Sequence, residues 1–436
     1  MGIIIMVLQV LLGLSLLIIL HELGHFLAAR AFGIKVEKFY LFFDAWGFKL
    51  FKFNYKGCEY GVGWLPLGGY VKIAGMIDES MDTEQMKGEP QPWEFRSKPA
   101  WQRLIVMLGG IIVNVIVGIV VFWMLTFSYG STDLNTKELY GLKPGIIGQK
   151  VGLQEGDKIL AVNGKETNLF YADIMASEVL MGDAELTVER AGQELKIKMP
   201  ADILNDVSEH KKNEFVEPMF KMLPVNRIEE NSRAAKMGLA VGDSIVSVNQ
   251  APVVQLDEFK KQLEANKGKE IVLGVIRKGS AIELKAPADT TGTLGFSNIP
   301  FVQQKYGFME SLPIGAAKAF SVITDNIKGF GKIFKGEVRA DKALSGPVGI
   351  ATMFGTEVDW VRFWGLVGML SMALAFMNIL PIPALDGGHV IFLLIEMIQG
   401  KPLSEKFLER AQMVGFFILV ALMIFVFGND IFKLTK

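Results

Sequence analysis

The chain has 436 residues, enough for two or three domains, and half of them are hydrophobic. Its mean hydropathy of +0.33 is high for a soluble protein. The formal net charge of −1 gives no electrostatic reason to expect nucleic acid as a partner. The single cysteine, Cys58, excludes an intrachain disulfide and argues against a thiolate zinc site.

The first predicted element is an apolar helix that carries an unusual polar group. Residues 3–20 are almost wholly apolar, and the segment lacks the basic start and cleavage site of a signal peptide. We therefore expect a retained transmembrane helix at about 3–31, within the segment 1–32. Residues 21–25 read HELGH, the pattern H-E-x-x-H. Two histidines at this spacing share one helix face and can bind one Zn²⁺, with the glutamate as general base. A polar kink in a packed helix would not explain why a carboxylate joins them.

A polar loop and a second apolar segment come next. The loop covers residues 33–100, and the predicted transmembrane helix covers residues 101–127. Glu37 and Asp44 lie in the loop, beyond the end of the first span at Arg30, so neither is a convenient third metal ligand.

The middle of the chain contains an internal repeat. Residues 152–163 and 238–249 both fit G-L-x-x-G-D-x-I-x-x-V-N, and the first copy runs into Asn163-Gly164, a hairpin-type turn. The repeat resembles bacterial PDZ domains in tandem, which we place at residues 128–215 and 216–297. Such domains bind extended peptides at a sheet edge, although spacers or steric shields with empty grooves remain the alternative. His210 lies in a charged linker and is given no role.

An amphipathic helix is predicted over residues 311–337. Its apolar residues recur at spacings of three and four, and its lysines fall mostly on another face. The pattern favours a helix that lies on a membrane surface, and the alternative is a helix packed on the second PDZ domain. The apolar positions are Phe320, Ile323, Ile327, Phe330 and Phe334.

The last two apolar segments enclose a second polar motif. The third span begins near residue 361 and is broken by Pro381 and Pro383, after which a short apolar helix completes the segment 361–398. Asp386 starts that helix, where it can cap the helix or bind a metal; the two histidines of HELGH otherwise lack a third partner. His389 is the rival ligand, or a hydrogen-bond donor behind the metal shell. The fourth span is predicted at 411–428.

Basic residues in the short loops set the predicted orientation. Residues 33–100 and the loop before the fourth span both carry lysines and arginines, and in a four-span topology they lie on the same side. We assign that side to the cytoplasm. Both termini and the repeat region are then expected outside.

These motifs and their order resemble the site-2 protease family of intramembrane zinc metalloproteases, peptidase family M50, and most closely its bacterial RseP type. The resemblance rests on HELGH, PLGGYVK, the tandem PDZ pattern and NILPIPALDGGH, and it covers nearly the whole chain. It implies His21, His25 and Asp386 as ligands of Zn²⁺ and Glu22 as general acid and base. It also implies that Asn378 holds the substrate backbone near the cleaved bond.

The resemblance implies further features of fold and function. Residues 60–75 would form a membrane-reentrant β-hairpin whose edge pairs with an unwound substrate strand, with Gly61 and Gly63 at the substrate. The expected fold is an α-helical polytopic membrane protein with four transmembrane helices, this hairpin and two β-rich PDZ domains. The expected location is the bacterial inner membrane, with the active site opening toward the cytoplasm.

The expected activity is cleavage of transmembrane segments in single-pass proteins, such as anti-sigma factors and remnant signal peptides, within the lipid bilayer. The PDZ pair would act as an external size filter. One alternative is a membrane-anchored PDZ adaptor with a structural metal, but such a site needs no Glu22. Another alternative is a membrane-tethered peptidase that cuts soluble substrates. The depth of His21 argues against it, because His21 lies about nine residues, roughly 13 Å along the helix, from Arg30 at the end of the span.

Overall fold

The computed structural model describes residues 2–66, 68–76, 88–210, 214–286 and 292–434. Part of the predicted loop, including Leu67 of PLGGYVK, and parts of both predicted PDZ domains lie outside these residues. The α-helices are, in chain order, α1 Gly2–Ala31, α2 Ala100–Tyr129, α3 Ile146–Lys150, α4 Ser177–Leu180, α5 Ile203–Glu209, α6 Arg233–Lys236, α7 Leu256–Ala265, α8 Ser311–Phe334, α9 Ala340–Ala343, α10 Pro347–Phe354, α11 Trp360–Ile379, α12 Asp386–Gln399 and α13 Glu405–Leu434. The strands are β1 Val36–Leu41, β2 Lys49–Tyr55, β3 Cys58–Gly63, β4 Tyr70–Ile73, β5 Ser131–Leu134, β6 Leu139–Pro144, β7 Lys158–Val162, β8 Lys165–Glu166, β9 Glu185–Arg190, β10 Gln193–Lys198, β11 Val216–Phe220, β12 Arg227–Ile228, β13 Ser244–Val248, β14 Ala251–Pro252, β15 Ile271–Arg277, β16 Ser280–Ala286, β17 Phe296–Ser297 and β18 Phe301–Gln304.

The chain divides into two compact units. The first, which we call the helical unit, contains residues 1–130, 305–331 and 344–436. The second, the β-rich unit, contains residues 131–304 and 332–343.

Four helices of the helical unit are long and apolar enough to cross a membrane. They are Gly2–Ala31, Ala100–Tyr129, Trp360–Ile379 and Lys406–Lys433. All four predicted spans are therefore confirmed as helices, and the break at Pro381 and Pro383 ends α11 at Ile379 as expected. Because an α-helix satisfies its own backbone hydrogen bonds, these elements are compatible with a hydrocarbon environment.

Helix α2 is the centre of the helical unit. It packs against α1, α11 and α12, so it touches every helix that carries a predicted site residue. Small residues allow close approach at the crossing of α1 and α2, where a Cβ added to Gly24 would lie 2.2 Å from the backbone oxygen of Gly109.

The predicted hairpin over residues 60–75 is part of a larger sheet with a different pairing. The strand order is β2-β3-β1-β4, with β1 parallel to β3 and antiparallel to β4. The segments β3 and β4, which the prediction joined in one hairpin, are therefore separated by β1, and the hairpin of this sheet is β2–β3. The hairpin was implied by the family resemblance, and the residues themselves do not specify which strands pair.

The β-rich unit contains the two sequence repeats as two related modules. Module 1, residues 131–220, has the sheet β10-β9-β7-β8, and module 2, residues 225–297, has the sheet β14-β13-β15-β16. Each has its own apolar core. Strand β11 lies beyond the predicted domain boundary at residue 215, yet it pairs with β6 of module 1, because the polar linker before it is followed by an apolar strand that completes that core.

The repeated G-L-x-x-G-D motif has one structural role in both modules. The glycines at its first and fifth positions adopt positive φ, and the buried aspartate accepts hydrogen bonds from a nearby backbone N–H and from an arginine. Arg190 lies 2.7 Å from Asp157, and Arg277 lies 2.7 Å from Asp243. The hydrogen bond from Arg277 holds the pKa of Asp243 below its usual value. The turn at Asn163-Gly164 joins β7 to β8, as predicted.

Candidate metal centre

The two histidines of HELGH lie on one face of α1 and point to the same place. His21 Nε2 and His25 Nε2 are 3.3 Å apart, and the imidazole rings meet edge to face. This is the consequence of an i, i+4 spacing on a regular helix. Glu22 lies between them in sequence, on a turn of α1 that the chain before β4 approaches at Gly69.

Asp386 reaches the histidines from the start of α12. Its Oδ2 lies 3.3 Å from the Nε2 atoms of both His21 and His25. Gly387 and Gly388 make this position possible, since a Cβ at either residue would lie within 2.6 Å of a backbone oxygen in the preceding loop. The other end of α12 is held to α2 by an ion pair between Arg103 and Glu396, two side chains that are largely buried.

Helix α2 closes the third side of the cluster. The backbone oxygen of Val106 accepts a hydrogen bond from His25 Nδ1 at 2.8 Å, and the carboxamide of Asn114 lies 3.2 Å from His21 Nδ1. Gly110 lies between these contacts, and a Cβ there would be 2.4 Å from His25 Nε2. The imidazoles and α2 therefore fit together without space for another carbon atom.

The chemistry of these donors fits a bound cation. A carbonyl oxygen only accepts, so His25 Nδ1 carries a proton and a neutral His25 has a bare lone pair on Nε2. That lone pair faces Asp386 Oδ2, a buried oxygen without a hydrogen-bond donor. Such atoms repel one another unless a positive charge lies between them, and one carboxylate with two imidazoles is a ligand set of catalytic zinc.

The structure brings some predicted residues together and leaves others apart. His21, His25 and Asp386 are the group whose ligand atoms all lie within 4.8 Å of one another among the residues searched. Asn378, in the last turn of α11, joins them, with its carboxamide nitrogen 3.3 Å from His21 Nε2. His389 is not a member of this group, although it is on the same helix as Asp386.

Gly61 and Gly63 have a different position. Both lie on β3, which is paired with β2 on one side and with β1 on the other. A Cβ at Gly61 would lie 2.4 Å from the ring of Tyr40, and one at Gly63 would lie 2.2 Å from a backbone oxygen. These close contacts explain by packing alone why both positions are glycine. Contact of Gly61 and Gly63 with substrate stays a prediction.

Two polar residues that the sequence set aside, Asp44 and His210, have partners away from the cluster. Asp44 accepts a hydrogen bond from the Tyr70 hydroxyl at 2.9 Å, and His210 pairs with Glu214 at 3.2 Å in the β-rich unit. Sequence reasoning missed Asn114 and Gly110. The available signal was a lone asparagine and a pair of glycines within an apolar span, since polar and small residues there tend to face other helices.

Replacing Gly110 with alanine is expected to lower zinc affinity by at least about tenfold and to reduce cleavage in parallel, because the added methyl group displaces both imidazoles. Zinc content after dialysis against a chelator and the cleavage rate measure the effect. Gly365→Ala on α11 is the matched control, since a Cβ there meets nothing within 4 Å. Full zinc affinity in the Gly110 variant would contradict the packing described for α2.

Comparison with known proteins identifies the family. The sequence profile of peptidase family M50 matches residues 9–422. Two relatives named regulator of sigma-E protease RseP, from Salmonella typhimurium and Escherichia coli, are each 30% identical to the chain, with 97% of both chains covered. A Vibrio cholerae protein whose name describes a zinc metalloprotease is 29% identical over the same share.

The extent of these matches and the four membrane helices confirm the resemblance inferred from HELGH and NILPIPALDGGH. The chain is a polytopic membrane protein with β-rich modules, and its cofactor is zinc. It belongs to peptidase family M50, the zinc metalloendopeptidases of the site-2 protease kind.

Proposed function

We propose that this chain cuts the transmembrane segments of single-pass membrane proteins at the centre formed by His21, His25 and Asp386. The proposal rests on one observation: these three side chains converge, two from the membrane-spanning helix α1 and one from the start of α12. Relatives named for regulation of sigma E suggest anti-sigma factors as one substrate class. We include remnant signal peptides as a second class, which the family resemblance implies.

Each residue then has a distinct task in peptide hydrolysis. His21, His25 and Asp386 hold the zinc, which when bound supplies a Lewis acid that polarises a carbonyl and activates water. Glu22 accepts the proton of the attacking water and delivers it to the amine nitrogen that leaves, so it ends the cycle as a carboxylate. Asn378 donates its amide N–H groups to the substrate backbone and thereby orients the scissile bond.

The sheet of the helical unit provides a place for the substrate backbone. Among the described residues, β4 pairs with β1 alone, so its other edge can accept an added strand. The chain leading into β4 runs beside Glu22, since a Cβ at Gly69 would lie 3.6 Å from its Cγ. A transmembrane helix must unwind before hydrolysis, and an added strand holds it in an extended form.

We assign the other edge of this sheet to the lipid. Strand β2 carries exposed Phe51, Phe53 and Tyr55, and Trp46 before it is 90% exposed. Aromatic side chains are enriched where a membrane meets water. Two lysines of β2 pair with Glu59 of β3, Lys49 at 2.8 Å and Lys52 at 3.4 Å, which lowers the cost of placing these charges in the membrane.

The orientation and the surface helix complete the arrangement. The basic loops favour a cytoplasmic opening of the active site, with modules 1 and 2, assigned as PDZ domains, outside. Helix α8 has exposed Phe320, Ile327 and Phe334 along its apolar face, which favours a helix lying on the membrane.

Zinc dependence tests the reaction itself. Purified chain in detergent would be stripped with a chelator and incubated with a single-span substrate while zinc is added back. Cleavage that returns with one zinc per chain supports the proposal, and cleavage that is indifferent to the metal would count against it.

Deleting modules 1 and 2 is expected to permit cleavage of a substrate with a folded external domain, which the intact chain leaves uncut. Every predicted zinc ligand lies outside residues 131–304, so the modules supply no catalytic group. The function that we assign to them is to restrict access to the active site. One transmembrane segment would carry either a short tail or a folded domain, and cleavage by both enzymes would be compared in membranes.

The short-tailed substrate is the control for an intact active site. If the deleted enzyme cuts it but still leaves the bulky substrate uncut, the filter does not exist. If neither substrate is cut by a stably inserted enzyme, the modules recruit substrate or hold the helices together.

A further inference from the structure

We propose that Asn114 is a positioning residue that fixes the tautomer of His21 by accepting a hydrogen bond from its Nδ1–H. This inference rests on the proposed zinc site. It assigns a function to a buried polar residue of α2 that the reaction described above does not use.

Asn114 has no access to solvent, and only one end of its polar side chain has a polar neighbour. The residue is 0% exposed in the middle of an apolar helix. Its carboxamide nitrogen lies 3.2 Å from His21 Nδ1, while its Oδ1 is buried without a hydrogen-bond partner. Its backbone oxygen accepts a hydrogen bond from the Ser371 hydroxyl at 2.8 Å, which holds α2 against α11 but leaves the side chain unexplained.

The two asparagines around His21 cannot both donate to it. Carboxamide nitrogens lie beside both ring nitrogens, that of Asn114 at Nδ1 and that of Asn378 at Nε2. A neutral imidazole has one accepting nitrogen, so at least one of these amides must present its oxygen instead. The oxygen and nitrogen of a carboxamide have nearly the same shape, and a half-turn exchanges them without moving any other atom.

The metal ligands decide which amide is turned. His21 Nε2 faces His25 Nε2 and Asp386 Oδ2, so it must offer a lone pair if the three are to hold zinc. Its proton is then on Nδ1 and requires an acceptor, which the amide nitrogen of Asn114 is not. Turning Asn114 places Oδ1 at that proton, where it accepts the hydrogen bond.

Helix α2 provides the acceptor for the Nδ1–H group of both histidines. His25 Nδ1 donates to the backbone oxygen of Val106, and Asn114 follows about two helical turns later, beside His21. Because α1 and α2 cross closely at Gly24, Gly109 and Gly110, one helix can reach both Nδ1 atoms. Acceptors behind a ligating histidine fix the ring and raise its basicity.

Zinc affinity of the full chain, measured by competition with a coloured chelator, tests the inference. Asn114→Leu has similar size and no acceptor, and should lower the affinity by about 10- to 100-fold. Asn114→Asp retains an acceptor and should stay within about threefold of wild type. Affinity near wild type for Asn114→Leu, or an equal loss in both variants, would overturn the assignment.

Two controls separate this function from packing. Ser371→Ala removes the other hydrogen bond to Asn114 and should leave zinc affinity unchanged, as should Thr126→Val, which removes another buried hydroxyl of α2. If Asn114→Leu does not accumulate in membranes, ¹⁵N NMR spectra of the zinc-loaded wild type show instead which ring nitrogen of His21 carries the proton. A protonated Nδ1 on His21 supports the inference, and an unprotonated Nδ1 refutes it. Failure of wild type to bind zinc would instead refute the proposed function.

Discussion

Glu22→Gln is expected to lower the cleavage rate by about 10²- to 10⁴-fold while the chain still binds one zinc. Glutamine keeps the size of the side chain, and the proposed ligands His21, His25 and Asp386 remain in place. What is lost is the group that accepts a proton from water and returns it to the leaving nitrogen. Zinc per chain and the initial rate on a single-span substrate would be measured on the same preparation.

Glu22 is assigned correctly as the general base only if the variant loses activity and keeps its zinc. A variant that loses both zinc and activity would show that Glu22 supports the metal site and is not only a base. A variant with near wild-type activity would remove Glu22 from the mechanism. Glu37→Gln is a matched control, since Glu37 is on the β1 strand that follows α1 and pairs with Lys35 at 3.5 Å, away from the cluster.

Asp386→Ala is expected to weaken zinc binding by more than about 100-fold and to abolish cleavage, whereas His389→Ala should keep the metal. Asp386 Oδ2 lies 3.3 Å from both histidine Nε2 atoms, and no other described carboxylate joins that group. His389 is one helical turn further along α12 and outside the cluster. Zinc content of both variants after the same chelator wash provides the comparison.

The reverse pattern would exchange the two assignments. Zinc loss in His389→Ala alone would make His389 the third ligand and leave Asp386 as the cap of α12. Loss in both variants would mean that His389 supports the site through Asp386. Asp386→Asn retains the size of the side chain and helps distinguish a lost ligand from a disturbed helix start.

The parts of this protein that could be predicted are those governed by local spacing. The four apolar spans follow from length and composition, and HELGH places His21 and His25 on one face because an α-helix repeats every 3.6 residues. The break after Ile379 follows from Pro381 and Pro383, which cannot continue a helix. Asp386 was the best candidate for the third ligand because it lies at that break, next to a new apolar helix.

The parts that could not be predicted depend on which elements meet. Asn114 is a single polar residue in an apolar span, and its sequence neighbours do not reveal that it faces His21. The role of Gly110 becomes visible only when α2 crosses α1 at backbone contact distance. In both cases the information lies in the crossing of two helices, which periodicity within one helix does not contain.

Strand pairing shows the same limit. For residues 60–75 the family resemblance implies one hairpin, formed by the two segments that are β3 and β4 in the structure. Strand β1 from earlier in the chain lies between them instead. In the β-rich unit the repeat predicted two modules and the turn at Asn163-Gly164, but it could not predict that β11 completes module 1.

The central claim is that hydrolysis takes place within the membrane, at a zinc centre on the spanning helices. The most direct measurement is the position of the cut bond, determined by mass spectrometry of the products when the purified chain and a single-span substrate share a lipid vesicle. The account predicts a cut inside the apolar segment of the substrate, which disappears with Glu22→Gln and with zinc removal. A cut confined to the soluble tail, or one that persists in either of those conditions, would contradict it.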